Sequence, residues 1–374
     1  MKNKNIGKIG VFHWSFDELG GGEILAAYLG KALNTRVYSI IKDQKMNELG
    51  FIDISSRVPL ISKILRKFRS FDYLVWSNVD VREFDDFDMI ITSGLTARAL
   101  ITPDNVMHVH YNHSPARWLY DLWHYRRKSK GWFKQNILLP LASEFFRIWD
   151  ETVDKRVDYY ISNSPITQKR LWKYLKRDSV VLYPPIELEK YKMKEPEDFY
   201  LFAGRLWHEK RPEEAIKACI KANKKLVVIG SGFLEDELKK KYNSNPLIDI
   251  RGFVSEEEKI DLFSRCKAVI YPCVAEDFGI VPIEAFASGK PVICSEDGFP
   301  PLIVNEERGI AVDCSNYKLI AEAIYKLENS MYDPHSIRDY AKQFDFSVFK
   351  SKLKYYLSKF YEDFKILETG DKHD

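Results

Sequence analysis

The sequence predicts an α/β protein made of two doubly wound domains, each with a parallel β-sheet covered by helices. Short apolar segments rich in β-branched residues alternate with helical segments of about ten residues, which is typical of right-handed βαβ units. The chain has 374 residues, too many for a single core of about 100–150 residues. The pair Pro184-Pro185 favours neither a helix nor a central strand, so we expect the domains to join there.

The first half, residues 1–184, is predicted to be an N-terminal Rossmann-like domain with long insertions between its elements. A helix over 23–33 follows the glycines Gly20–Gly22, and the segment 116–157 is expected to be mostly helical. An amphipathic helix over 348–364, within the stretch of about 346–366, is expected to return to this domain. The predicted strands are 9–13, 37–41, 89–93, 107–111 and 159–162.

The second half, residues 185–345, shows the more regular alternation and is predicted to be a second Rossmann-like domain. Pro212 and Pro282 suit a first helical turn, Gly289 suits the position after a helix, and Ser255 with Glu258 forms a capping-box pattern. The predicted strands are 199–206, 225–230, 248–254, 268–273 and 291–295, and the predicted helices are 212–222, 234–242, 255–266 and 281–288.

The composition argues against a nucleic-acid-binding protein and against a membrane-spanning one. A net charge of +3 is too small to indicate a nucleic-acid partner. No apolar run approaches the roughly 20 residues that a bilayer span needs, and the N-terminus lacks a signal-peptide pattern. We therefore expect a cytoplasmic location, and attachment to the cytoplasmic face of a membrane stays open. The five cysteines are expected to be buried free thiols: Cys219, Cys266, Cys273, Cys294 and Cys314.

Two carboxylates in the segment 268–295 form the centre of the candidate site. Glu276 lies in a loop after a predicted strand, and Glu284 lies one turn inside the helix that follows. The carboxyl end of a parallel strand is where doubly wound folds bind ligands, and exposed amides at a helix N-terminus favour anionic or polyhydroxyl groups. Carboxylates beside such amides can bind sugar and ribose hydroxyls. Taken alone, the pair is also compatible with two solvated surface acids.

Two cations follow the predicted strand at 199–206. Arg205 and Lys210 lie in a loop that leads into the next helix. Positive charges at the carboxyl end of a strand can neutralise a departing diphosphate. Ordinary surface cations are the alternative.

The motifs FAGRLWHEKRPEEAIKA, LVVIGSG, RGFV and EDFGIVPIEAFASGKPVI resemble those of the retaining glycosyltransferases of family 4. A Glu, seven residues and a second Glu are the hallmark of that family, matched here by Glu276 and Glu284. The resemblance is strong over about 199–325 and loose in the first half. It implies the GT-B fold, in which two Rossmann-like doubly wound domains face a cleft.

The resemblance also implies roles for particular residues. Glu284 would hold the ribose hydroxyls of a nucleotide-sugar donor, Glu276 would contact the transferred sugar, and Arg205 with Lys210 would bind the diphosphate. Further donor contacts are implied at Gly230, Phe253, Val254, Phe278, Gly279 and Ile280. The enzyme type needs neither a metal ion nor a cofactor.

Weaker matches lie in the first half. The stretch HYNHSPARWLYD is similar to a His-x-Pro-x-Arg stretch of mannosyltransferase-like members, which makes His113 the candidate histidine near the anomeric centre. Gly21 and Gly22 resemble the loop that approaches the donor phosphates, where glycine allows close backbone approach. A structural histidine and a plain flexible turn are the alternatives. A metal site at His108, His110 and His113 is disfavoured, because no carboxylate or thiol shares the spacing.

The function that these resemblances imply is transfer of a sugar, with mannose from GDP-mannose preferred, to a glycan or lipid-linked acceptor in cell-surface glycan synthesis. A UDP-sugar donor is the alternative within the same fold. A nucleotide-sugar epimerase or a non-catalytic nucleotide-sugar binder is the alternative from another class. A dinucleotide-dependent oxidoreductase is disfavoured, because this chain lacks the full glycine motif of that class. The basic and aromatic segments 62–69 and 118–134 are candidates for contact with an anionic membrane, or for solvated helix faces.

Overall fold

The computed structural model describes residues 7–14, 20–40, 49–59, 72–84, 86–123, 137 and 139–369. The chain divides into two compact units, which we call unit 1 and unit 2. Unit 1 comprises Met1–Tyr183 and Phe349–Asp374, and unit 2 comprises Pro184–Val348. Each contains one parallel sheet with helices, so the predicted fold class of two Rossmann-like doubly wound domains is confirmed.

The sheet of unit 1 has seven strands in the order β3-β2-β1-β4-β5-β6-β7, and all pairings are parallel. The order reverses between β1 and β4, the switch point beside which such sheets bind ligands. The strands are β1 Ile9–His13, β2 Val37–Ser39, β3 Ile52–Asp53, β4 Met89–Ser93, β5 Met107–Asn112, β6 Tyr159–Ser162 and β7 Val180–Val181. The helices are α1 Gly21–Leu33, α2 Asp72–Ser77, α3 Leu139–Asp154 and α4 Pro165–Leu175.

A buried ionic network fixes α3 in unit 1. The Arg98 guanidinium pairs with Asp150, and the Tyr73 hydroxyl donates a hydrogen bond of 2.5 Å to the same carboxylate. All three side chains are buried. Burial, together with the negative charge of Asp150, raises the pKa of Tyr73 well above its ordinary value. Because a buried charge without a partner is costly, we expect loss of Arg98 or Asp150 to loosen α3 from the segment that carries Arg98.

Unit 2 has a six-stranded parallel sheet in the order β10-β9-β8-β11-β12-β13, with its switch point between β8 and β11. The strands are β8 Tyr200–Ala203, β9 Leu226–Ile229, β10 Ile248–Gly252, β11 Ala268–Tyr271, β12 Val292–Ser295 and β13 Gly309–Val312. The helices are α5 Pro212–Ala222, α6 Glu235–Tyr242, α7 Glu256–Arg265, α8 Ile280–Ala287, α9 Pro300–Ile303, α10 Tyr317–Glu328 and α11 Pro334–Ala341. The final helix, α12 Phe346–Thr369, begins in unit 2 and continues into unit 1.

The ends of these elements follow local chemistry. The Ser255 hydroxyl accepts a hydrogen bond from the Glu258 amide at the start of α7, and Gly289 has φ of +67° after α8, as a glycine there permits. The five strands predicted in unit 2 are all shorter in the structure than expected, as is β2 in unit 1. β8 ends before Gly204, at φ +152°, and β10 ends at Gly252, at φ +73°, and neither conformation continues an extended strand. None of the described helices is long and apolar enough to cross a bilayer.

Candidate active site

Glu276 and Lys210 meet at the carboxyl ends of β11 and β8, two adjacent strands. The Lys210 ammonium pairs with Oε2 of Glu276, and the Tyr271 hydroxyl donates a 3.0 Å hydrogen bond to the same oxygen. Burial would lower the pKa of Lys210, but attraction to the Glu276 carboxylate outweighs this and raises the pKa above its ordinary value. Glu276, the predicted sugar contact, and Lys210, one of the predicted diphosphate contacts, therefore hold each other in place.

The loop that carries Glu276 is fixed by close backbone packing. Gly298 forms a parallel bridge with Glu276, and the Phe299 amide donates a 2.9 Å hydrogen bond to the Glu276 carbonyl. A Cβ at Gly298 would lie 2.4 Å from that carbonyl oxygen, and its φ is +80°. Ala275 has φ of +44°, a left-handed conformation that costs a non-glycine residue of order 1 kcal/mol or more. The loop thus holds its conformation through tertiary contacts.

Gly279 and Ile280 form the start of α8 beside the same carboxylate. Gly279 is the N-cap, with φ of +78° and no side-chain cap, and a Cβ there would lie 3.0 Å from the Tyr271 hydroxyl. The uncapped start of the helix leaves amides that can bind an anionic or polyhydroxyl group. The Phe278 ring is buried and stacks on Phe299 at 5.1 Å, so only its backbone can contact a ligand.

Glu284 lies one turn inside α8 and is 5% exposed. Its Oε1 accepts two hydrogen bonds of 2.8 Å, from the Tyr191 hydroxyl and from the Lys259 ammonium. No described residue donates a hydrogen bond to Oε2. Attraction to Glu284 and Glu256 raises the pKa of Lys259 against the effect of burial, which lowers it. One oxygen is therefore held by the protein, and the other is available to hydroxyl donors.

The exposed Arg205 side chain follows β8, with its guanidinium carbon 6.0 Å from the centre of the Trp207 ring. Within the described residues, its guanidinium has no hydrogen-bond acceptor or ion-pair partner. An exposed, always charged group of this kind suits a phosphate.

The glycines after β8 and β9 bring two loops together. A Cβ at Gly230 would lie 2.0 Å from the Gly204 carbonyl oxygen, so glycine is required for this approach. The Gly230 amide also donates a 2.7 Å hydrogen bond to the Gly252 carbonyl. Phe253 and Val254 come directly after this bonded glycine, and the Phe253 ring is largely exposed. The predicted nucleotide contacts thus lie on loops that contact one another at the carboxyl ends of the strands.

His113 in unit 1 follows β5, and its Nε2 lies 2.8 Å from the Ser93 hydroxyl at the end of β4. Burial lowers the pKa of His113 to about 3, so its imidazole is neutral near pH 7. Gly22 at the start of α1 lies beside it, because a Cβ there would be 3.9 Å from Cε1 of His113. His13 and Glu23 are both buried next to this position, 3.6 Å apart. Gly21 is exposed, and no atom of the described residues lies within 4 Å of its Cβ position.

His108 and His110, the other two histidines of the disfavoured metal site, form contacts within the protein. The Thr92 hydroxyl lies 2.8 Å from Nε2 of His108 and 2.9 Å from Nδ1 of His110, and both rings are buried. In the part of the chain that the structure describes, no group of three or more His, Cys, Asp or Glu side chains is arranged to hold a metal ion. The five cysteines are buried and unpaired.

Several residues of the site were not identified from the sequence. Tyr271 resembles a core aromatic in an apolar segment, and Tyr191 lies in a charged stretch between two lysines. Lys259 lies in a charged helix, and Gly298 lies beyond the recognised motif. Their roles depend on contacts across 5 to 93 positions of the chain, so no local spacing reveals them. The segments 62–69 and 124–134 lie outside the described residues, so the structure does not bear on their predicted membrane contact.

Residues 185–344 match the family model described as "Glycosyl transferases group 1". The chain is 35% identical over 137 residues to an uncharacterized glycosyltransferase, MJ1607, of Methanocaldococcus jannaschii, covering 34% of this chain and 35% of that protein. It is 26% identical over 140 residues to O-antigen chain mannosyltransferase C of Escherichia coli, covering 36% of this chain and 38% of the relative. The chain thus spans little more than a third of either relative's length.

Among solved structures, HepE of Anabaena in complex with UDP-glucose shares the fold with a TM-score of 0.68 at 15% identity. The match covers 94% of this chain and 99% of that one.

Proposed function

We propose that this chain transfers a sugar from a nucleotide-sugar donor to an acceptor hydroxyl, and its similarity to glycosyltransferases in sequence and in fold supports this proposal. One observation carries this proposal. Glu276, Lys210 and Tyr271 converge on one point at the carboxyl edge of the unit 2 sheet, beside the uncapped start of α8. Carboxylate, ammonium and amide groups together match a sugar attached to a diphosphate.

In the proposed donor complex, Glu276 accepts hydrogen bonds from the hydroxyls of the transferred sugar. Lys210, released from part of its contact with Glu276, moves its positive charge to the diphosphate, where Arg205 and the amides of Gly279 and Ile280 add further stabilisation. Glu284 accepts from the ribose hydroxyls through Oε2. These groups act most strongly as the diphosphate departs, because negative charge then grows on its oxygens.

The reaction is proposed to retain the anomeric configuration. The bond between the anomeric carbon and the diphosphate oxygen breaks, the acceptor oxygen bonds to the same face, and the departing oxygen takes the acceptor proton. Positive side chains and amides would stabilise the diphosphate without a metal ion. Proton NMR of the first-formed product tests retention, and unchanged turnover in EDTA tests metal independence; an inverted product or an EDTA-sensitive rate contradicts the respective proposal.

GDP-mannose is the proposed donor, with a UDP-sugar as the second candidate. The similarity to O-antigen chain mannosyltransferase C supports the first, and the likeness in fold to HepE, solved with UDP-glucose, keeps the second open. Both donors share the ribose and diphosphate that Glu284, Arg205 and Lys210 would bind.

The proposed acceptor is a glycan end or a lipid-linked glycan, with contact to an anionic membrane surface. Leu141, Phe145 and Ile148 are exposed on α3 at spacings of four and three residues, which places them on one face of the helix. An apolar face of this kind can enter the interface of a bilayer. Sedimentation with anionic vesicles tests this, and a Phe145→Ser variant that still sediments would contradict it.

The proposed function is tested by thermal shift of the full chain with GDP, UDP and ADP. We expect a rise with GDP that is lost in Glu284→Gln and retained in the control Glu328→Gln, whose carboxylate binds Tyr200 and Lys224 in the same unit. A UDP-selective rise would change the donor, and no rise with any nucleotide would contradict the function. Incubation with donor alone identifies an epimerase, because an epimerase converts the donor without acceptor. Incubation with donor and acceptor identifies a non-catalytic binder, because a binder releases no nucleotide.

A further inference from the structure

A single hydroxyl holds the imidazole of His113 in unit 1. Ser93, the last residue of β4, is 0% exposed, and its Oγ lies 2.8 Å from Nε2 of His113. The Asn163 side chain donates a 2.9 Å hydrogen bond to the His113 carbonyl, so the backbone is held as well. No described residue forms a hydrogen bond with Nδ1 of the ring, and His113 is partly exposed. Nδ1 is therefore the ring nitrogen that is left for a ligand.

The proton in the bond between Ser93 and His113 can belong to either partner. If Nε2 of His113 donated, the Ser93 hydroxyl would still carry its own proton, and no other described residue accepts it. Bulk water does not reach a side chain that is 0% exposed, and a buried donor without an acceptor is costly. The Ser93 hydroxyl therefore donates to Nε2. Since burial keeps His113 neutral near pH 7 by lowering its pKa, its single ring proton is then on Nδ1.

The neighbouring histidines His108 and His110 show how hydrogen bonds fix an imidazole in the same sheet. Nδ1 of His108 lies 3.0 Å from the Arg156 carbonyl, which can only accept, so the His108 proton is on Nδ1. The Thr92 hydroxyl, 2.8 Å from Nε2 of His108, donates there, because the Val109 carbonyl is more distant at 3.5 Å. Nδ1 of His110, 2.9 Å from the same hydroxyl, must then donate to it. Burial lowers the pKa of both histidines, so both are neutral and protonated on Nδ1.

We propose that Ser93 is a positioning residue that keeps His113 protonated on Nδ1, so that the ring offers a ligand a hydrogen-bond donor instead of a base. The part of this donor in sugar transfer rests on the proposed function. Nδ1–H can donate to an oxygen of the bound nucleotide-sugar, but it cannot take a proton from the acceptor hydroxyl. Nε2, which could take one, is occupied by the Ser93 hydroxyl. The acceptor proton therefore goes to the departing diphosphate oxygen and not to His113.

The test is a long-range ¹H–¹⁵N correlation spectrum of the full chain with ¹⁵N-labelled histidine, recorded near pH 7 without ligand. Such a spectrum distinguishes a protonated ring nitrogen from an unprotonated one. The variants His113→Gln and His108→Gln identify the signals of these two rings by their loss. We expect His113 to show the same Nδ1-protonated pattern as His108, whose form is fixed by the Arg156 carbonyl.

Substitution of Ser93 tests whether this residue sets the form of the ring. In Ser93→Ala, we expect a mixture of the Nδ1- and Nε2-protonated forms of His113, because nothing then donates to Nε2. Ser93→Thr keeps the hydroxyl and should restore the Nδ1-protonated form. The control is Ser162→Ala, which removes another buried hydroxyl at the end of a strand of this sheet, bonded to Ser179 at 2.8 Å. It should leave the His113 signals unchanged.

Three results would overturn the inference. An Nε2-protonated His113 in the unsubstituted chain shows that the bond runs in the opposite direction. An unchanged pattern in Ser93→Ala shows that another group sets the form of the ring. An equal change in Ser162→Ala shows a general disturbance of the sheet. Because the spectrum needs neither ligand nor turnover, its failure is distinguishable from failure of the proposed function, which the thermal shift with nucleotides tests.

Discussion

Lys259→Met tests how the protein positions Glu284 for its proposed contact with the donor ribose. The substitution removes the ammonium that is bonded to Oε1 of Glu284 at 2.8 Å and keeps most of the aliphatic length of the side chain. Tyr191 remains as the second donor to the same oxygen. Because Glu284 is 5% exposed, its carboxylate then lacks the nearby positive charge that balances it, and we expect it to turn away from its present position.

The expected magnitude follows from the exposure of the pair. The Lys259 side chain is 24% exposed and that of Glu284 is 7% exposed, which lies between a surface pair worth about 0–1 kcal/mol and a buried pair whose disruption costs about 3–5 kcal/mol. A hydrogen bond to a charged group contributes about 1.5–3 kcal/mol. Since Tyr191 still holds Oε1, we expect about 1.5 kcal/mol, or roughly a tenfold loss of affinity for a nucleoside diphosphate.

The assay is calorimetric titration with GDP and UDP, accompanied by thermal unfolding without ligand. The control is Lys224→Met, which removes an ion pair with Glu328 of 2.9 Å in the same unit, in which Lys224 and Glu328 are each 23% exposed. Both variants should lose similar stability, but only Lys259→Met should lose nucleotide affinity. Lys259→Arg should restore most of that affinity.

Equal nucleotide affinity in Lys259→Met and the unsubstituted chain would refute this account of Glu284. So would an equal loss in the Lys224→Met control, since the effect would then come from the general stability of unit 2.

Three further predictions follow from single contacts. Glu276→Gln should lower turnover by at least 100-fold while nucleotide binding persists, and near-normal turnover in a coupled nucleotide-release assay would contradict its role. Tyr271→Phe should lower turnover about tenfold because it removes one hydrogen bond to that carboxylate, whereas Tyr200→Phe, which removes a similar bond to Glu328, should leave turnover unchanged. Burial lowers the pKa of His108 to about 4, so the unfolded chain binds the extra proton between about pH 4 and 6.5 and stability should rise with pH across that window. Urea unfolding should therefore show a pH slope that is smaller in His108→Gln, and an unchanged slope would count against the burial of a neutral ring.

The recognised motif places Glu276 and Glu284 in the candidate site but does not show most of their partners, and the roles of both carboxylates stay predictions. Glu276 and Glu284 follow from a fixed spacing within one strand-loop-helix segment, so local sequence is sufficient to identify them. Their contacts with Lys210, Tyr191 and Lys259 join separate elements, and Gly298 acts only because the chain returns to the backbone of Glu276. The strands β8 and β10, which end beside Gly204 and at Gly252, were among those predicted too long, since apolar composition does not show where a glycine leaves the extended conformation.

By itself, the sequence determined the fold class, because alternating apolar strands and amphipathic helices have few ways to bury their apolar faces other than in doubly wound sheets. It also determined the family resemblance, because the motif lies within a continuous segment. Only the tertiary structure decided which oxygen of each carboxylate the protein holds and that the Ser93 hydroxyl bonds Nε2 of His113. Hydrogen-bond partners depend on how distant segments approach in space, and that approach follows from packing of the whole unit.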